Sequence, residues 1–210
     1  MGLNGAGMTR DNHELGRFTA MAFLLCTTLR FCEGFASRCR NVTYRFLGVD
    51  LRKYCWLRNI EISRNWQDVI LHGCALDRGV VLLCSGAARR SKIEIGEGTY
   101  INRYTILDAH QRIGIGREVM IGPHCFITDG NHGMDAGSSV KSQAMTTSPV
   151  EIEDGVWIGA HVTILPGVRI GRGAVIGAGS VVTHDIPVNA IAVGSPATVR
   201  RLRTPSYQAS

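Results

Sequence analysis

The chain has 210 residues, 45% of them hydrophobic, with 25 Gly against 6 Pro and a formal net charge of +6. That length holds one domain with a real core and an appendage, and the composition suits a turn-rich β protein better than a disordered one. The seven Cys are odd in number and form no CxxC pair, so neither a disulfide framework nor a zinc site is read. With no secretory signal apparent, free thiols in a reducing cytoplasm are expected.

Residues 1–16 are polar and Gly-rich and read as a leader. Leu15, Phe18, Met21, Leu25, Leu29, Cys32, Ala36 and Cys39 then recur at helical spacing, which predicts an amphipathic helix interrupted near Gly34. Its longest apolar run, residues 20–26, is too short to span a bilayer. Nine basic residues against four acidic ones fall within residues 10–58, so this fifth of the chain carries five of the six net charges. Two roles fit. The helix packs on the open end of a solenoid and covers its unpaired strand edges, or it lies on the inner face of the membrane with Arg at anionic headgroups. The aromatics follow a core stripe and no binding motif appears, so no nucleic-acid partner is expected.

Residues 57–91 are β-rich but irregular. Leu71, Leu83 and Ile95 stand twelve apart, with Asp77 and Arg89 between them, as in an atypical first coil or two. Regularity begins at Ile93. Ile95, Ile101 and Leu107 are six apart; the phase slips by two near 109–112, then Ile115, Ile121 and Ile127 resume it. A slip of two predicts a small outward insertion with the stack intact. The pattern stops after Thr128 for a loop over 129–149, then runs without a miss through Ile152, Ile158, Ile164, Ile170, Ile176 and Val182. No helix has a period of six and a plain strand alternates in twos, so the hexad predicts an all-β solenoid of short strands joined by tight corners. The domain reading is a leader and helical segment over 1–58, a β-helix over 59–196 with 129–149 extruded, and a basic tail over 197–210.

A long excursion from a strict solenoid carries function or is disordered. This one holds His132 in the turn-forming run Asp129-Gly130-Asn131-His132-Gly133. Gly and Asn turn the backbone sharply and push one imidazole clear of the coil wall. A neutral imidazole, with an ordinary pKa of about 6.5, is suited to take a proton from an alcohol.

The two hexad arrays, the loop with its His, and the run VWIGAHVTILPGVRIGRGAVIGAGSVVTHDIPVNAIAVGSPA resemble the hexapeptide-repeat acyltransferases. The likeness is greatest to the maltose, galactoside and nodulation O-acetyltransferases and to bacterial polysaccharide O-acetyltransferases, and it covers residues 93–203. It implies a left-handed parallel β-helix of triangular section, a homotrimer, and acetyl-CoA bound between neighbouring subunits, with no metal. It implies His132 as general base for acetyl transfer to a sugar or polysaccharide-precursor hydroxyl, by direct transfer in a ternary complex. Asn102 matches an Asn at the family's acceptor site, and also suits a plain corner turn. Asp129 either orients His132 or is ordinary turn chemistry; Trp157 matches a Trp beside the site. For the cofactor the resemblance points to Ala160, Ala178, Thr183, His184 and Arg201, with Arg200 in the same basic cluster. Related enzymes commonly have Ser at Ala160 and Lys at His184, which shifts phosphate contacts toward the arginines. Other readings are N-acylation of an amino-sugar nucleotide, a non-catalytic scaffold, and a γ-class carbonic anhydrase using His72, His110, His124, His132 or His161. The last lacks that family's pair of His five residues apart.

Overall fold

The computed structural model describes residues 27–29, 31–87 and 91–204. The 1–16 leader, the first half of the apolar stripe, Arg89 and the end of the tail lie outside the described residues. A helix occupies 31–46, and from Asp50 onward the chain winds through three parallel sheets. The first sheet runs from Asp50–Leu51 to Arg169–Ile170, and the second from Trp56–Leu57 to Ala190–Val193. The third runs from Glu61–Ser63 to Val181–Val182. Successive coils contribute one short strand to each sheet, so the section is a triangle.

The hexad is the register of this stack. Leu71, Ile95, Ile115, Ile152 and Ile170 pair in line up the first sheet. Leu57, Leu76, Ile101, Ile121, Ile158 and Ile176 do so up the second, and Ile62, Leu82, Leu107, Ile127, Ile164 and Val182 up the third. All of these are buried. The β-branched side chains stand on one another inside the prism, where their stiff χ1 costs little to order. Inward polar groups are satisfied along the same axis: Thr99 and Thr105 hydroxyls donate to the Gly116 and Gly122 carbonyls at 2.7 and 3.0 Å.

Several sequence expectations change. In the second coil the inward residues are Leu71, Leu76 and Leu82, while Leu83 is half-buried and faces outward. A five-residue side and the excursion before Ile93 absorb the irregularity, so the twelve-residue spacing was a coincidence of an extra residue. The excursion is held by a buried pair, Lys92 with Asp68 at 3.6 Å, and by a bond from Lys92 to the Ser85 carbonyl. Pairing also begins at Asp50 and ends at Leu202, past both ends of the 59–196 span, since Thr198–Leu202 folds back as an antiparallel strand on Ala190–Val193.

The helix is unbroken at Gly34. A Cβ there would meet the Arg38 side chain at 3.4 Å and the Trp56 ring at 3.7 Å, so Gly lets the helix lie close on the coil end. The face turned to the coil is polar, and of the expected apolar stripe Leu29, Cys32 and Cys39 are exposed. Asn41 donates to the Cys55 carbonyl (2.7 Å) and accepts from its N–H (3.0 Å); Ser37 accepts from the Leu57 N–H, and Tyr44 donates to the Ile60 carbonyl. These are the unpaired backbone groups of the first coil, which has no strand beneath it. Side chains stand in for the missing rung. Arg58 adds an ionic link, reaching Glu33 of the helix at 2.6 Å and buried Asp77 at 3.4 Å. Burial raises the pKa of Asp77, but the Arg78 N–H, Arg103, Tyr100 and Arg58 outweigh it and hold the carboxyl below its ordinary value.

The three faces differ outside. The first is charged: Arg112 spans Glu94 and Glu151 at 3.2 and 3.0 Å, crossing Gly114, where a Cβ would strike Glu151. The second and third expose Met120, Trp157, Ile106 and Phe126.

Candidate active site

The two breaks in the hexad meet at one edge, between the third and first faces. The corner at 109–112 bulges by two residues, leaving three successive N–H groups without a rung to bond. Asp129, fully buried, takes all three: Oδ1 accepts from His110 at 2.7 Å, and Oδ2 from Gln111 at 2.7 Å and Arg112 at 2.5 Å. Its own carbonyl accepts from Ser148 at the far end of the excursion (2.9 Å). Asp129 therefore ties both breaks together. Its carboxylate is occupied by backbone N–H groups, the turn role that the sequence left open beside an orienting one.

From that anchor, Gly130–His132 pairs antiparallel with Met145–Thr147, setting His132 opposite Met145. The hairpin thus gives the exposed His132 a fixed strand position. It overhangs a groove of about 510 Å³ whose lining includes Ser85, Asp108, His110, Phe126 and Leu165. The His110 ring packs on Gly130, where a Cβ would come within 2.7 Å of it. His110 Nε2 lies 3.6 Å from Asp108 Oδ1, which accepts from the Ser85 hydroxyl at 3.4 Å. The sequence did not place Asp108 and His110 at this groove. Their signal was the phase slip itself, which marks where the chain leaves the wall.

The other expected residues distribute over the prism. Thr183 and His184 lie on the same edge as His132, higher in the stack, with Thr183 Oγ1 2.8 Å from His184 Nδ1. Asn102, Ala160 and Ala178 occupy the next edge, between the second and third faces. Asn102 Oδ1 accepts from the Arg103 N–H at 2.8 Å, the bond of a corner asparagine. Trp157, 55% exposed, stands on the second face between Met120 and Val175. Arg200 and Arg201 lie on the exposed strand Thr198–Leu202, which extends that face. One chain therefore brings His132 together with Thr183 and His184, and separately Asn102 with Ala160 and Ala178. It does not bring the two groups together.

Among the described residues no three His, Cys, Asp or Glu side chains converge as a metal set. His72 pairs with Glu94 at 3.1 Å, and His124 stacks between Tyr104 and His161 at 5.2 and 5.0 Å. The five histidines of the carbonic-anhydrase reading thus fall in three places: His72 on the first face, His110 with His132 at one groove, and His124 with His161 on the next edge.

Residues 149–184 match the model of the bacterial transferase hexapeptide repeat. The crystal structure of a maltose O-acetyltransferase from Clostridium difficile 630 is 34% identical, covering 79% of this chain and 75% of that one with a TM-score of 0.57. The chain belongs to the hexapeptide-repeat acyltransferases. The coil is accordingly the left-handed parallel β-helix of that family. A Vibrio cholerae hexapeptide-repeat acetyltransferase solved with acetyl-coenzyme A is 32% identical over 60% of this chain and 72% of its own, at a TM-score of 0.52. A galactoside O-acetyltransferase of Lactococcus lactis is 43% identical over 109 residues. The chain spans about half the length of the first curated relatives it matches, 52% and 53%.

Proposed function

We propose that the protein is an acetyl-CoA-dependent O-acetyltransferase acting on a hydroxyl of a sugar or polysaccharide precursor. The observation that carries this is the hairpin that holds His132 over a groove lined by Asp108 and His110. In the proposed reaction His132 accepts the hydroxyl proton as the oxygen attacks the thioester carbonyl. The C–S bond then breaks, and the proton passes to the departing thiolate to give free CoA. Such a base contributes about 10²–10⁴-fold. Asp108 and His110 offer an acceptor and an imidazole to neighbouring hydroxyls of a polyhydroxylated ligand, as groove polar groups do in sugar sites.

Division of the site over two edges favours a composite groove. In this reading a second copy sets its Asn102–Ala160–Ala178 edge against the His132–Thr183–His184 edge, and the assembly is a homotrimer. The exposed apolar residues of the second and third faces support it, since association covers them. The small side chains at Ala160 and Ala178 leave room for a thin pantetheine chain, and Arg200 and Arg201 supply charge for phosphates.

The test is thiol release from acetyl-CoA across a panel of sugars, glycolipid precursors and amino-sugar nucleotides, with His132→Ala alongside. Turnover with at least one hydroxyl acceptor and a loss of about 10²–10⁴-fold in the variant are expected. Wild-type turnover in His132→Ala would remove the proposed base, and turnover confined to amines would replace O- by N-acylation.

A further inference from the structure

Capping the coil and meeting a membrane entered as rival uses of the N-terminal helix, yet they draw on opposite faces of it. Gly34, Ser37, Asn41 and Tyr44, at i, i+3, i+7 and i+10, make the line against the coil. The opposite side carries Phe31, Phe35, Val42 and Phe46, which are 79%, 64%, 69% and 92% exposed. Three phenylalanines and a valine thus form an apolar strip pointing away from the protein on a helix whose attachment is polar. A soluble protein rarely leaves such a strip uncovered.

Charge selects the occupant. The helix has one acidic residue, Glu33, and it is bound to Arg58 at 2.6 Å. Arg38, Arg40 and Arg45 bond instead to the carbonyls of Gly34, Leu57 and Leu51, so no carboxylate among the described residues neutralises them. A second copy of this face would bring like charges together. An anionic partner is drawn in, and a bilayer surface offers both anionic headgroups and an acyl boundary for the apolar strip. No described helix is long and apolar enough to cross a membrane.

We propose that the outer face of this helix lies on an anionic lipid surface, with Phe31, Phe35, Val42 and Phe46 in the headgroup–acyl boundary and Arg38 and Arg45 among the headgroups. The helix then serves as the base on which the prism stands. This does not depend on the acetyl-transfer reading, because binding is measured with the protein alone.

The experiment is co-sedimentation of the full chain with vesicles of phosphatidylglycerol and phosphatidylcholine, against phosphatidylcholine alone, at low and high salt. Binding to the anionic vesicles that weakens with salt is expected. Phe35→Glu with Phe46→Glu should lower the partition coefficient about tenfold or more while the thermal midpoint stays put. Arg38→Gln leaves the apolar strip untouched and should lower it about fivefold. The proposal is overturned if the wild type ignores anionic vesicles, or if Arg38→Gln binds as well as wild type. It is equally overturned if the double variant sediments with smaller native mass, which would mean that another copy covers the face.

Discussion

Asp129 illustrates how a residue beside a proposed base earns its place without touching chemistry. Three N–H groups left over by the 109–112 bulge converge on one buried carboxylate, which accepts bonds roughly twice as strong as neutral ones. In Asp129→Asn the amide nitrogen would face at least one of those donors. The expected loss is about 2–3 kcal/mol in urea denaturation, together with reduced acetyl transfer as the hairpin loses its root. Full stability in that variant would show that water replaces the carboxylate. From sequence, Asp-Gly-Asn reads as turn chemistry. The three donors lie about twenty positions upstream, and spacing alone does not pair them.

At the scale of the element, the helix reverses ordinary amphipathic logic. Its apolar residues were legible as a helical stripe, which left packing on the coil and contact with a membrane both open. The first coil, however, presents open strand edges, and an edge asks for hydrogen bonds before it asks for carbon. Asn41 answers with both a donor and an acceptor for Cys55. Asn41→Ala should therefore cost about 2–3 kcal/mol, since it strands two buried backbone groups. Phe35→Glu, on the exposed side, should stay within about 0.5 kcal/mol. Parallel melts of the two variants check this, and equal losses would show that the apolar side is packed after all.

For the whole molecule, the prism has one ion-paired face and two with exposed apolar side chains. The proposed trimer covers the latter and joins the two halves of the site. Ile106→Lys together with Met120→Lys should shift the mass measured by light scattering from three chains toward one. Acetyl transfer should fall in step, although neither residue is assigned to the chemistry. Unchanged mass would place the partner contact elsewhere on the prism.

The period of six, with Gly and small residues at its corners, determined the solenoid and the in-line stacking of Ile95, Ile115, Ile152 and Ile170. That is because in such a coil each inward residue depends on its own spacing and on little else. His132 was legible for the same reason, as a polar group standing where the spacing fails. Tertiary structure alone decided which edge each residue occupies, what Asp129 binds, that Asp108 and His110 share the groove, and which way the helix faces. Each of those rests on a partner distant in sequence, and a repeat reports only on its own rung.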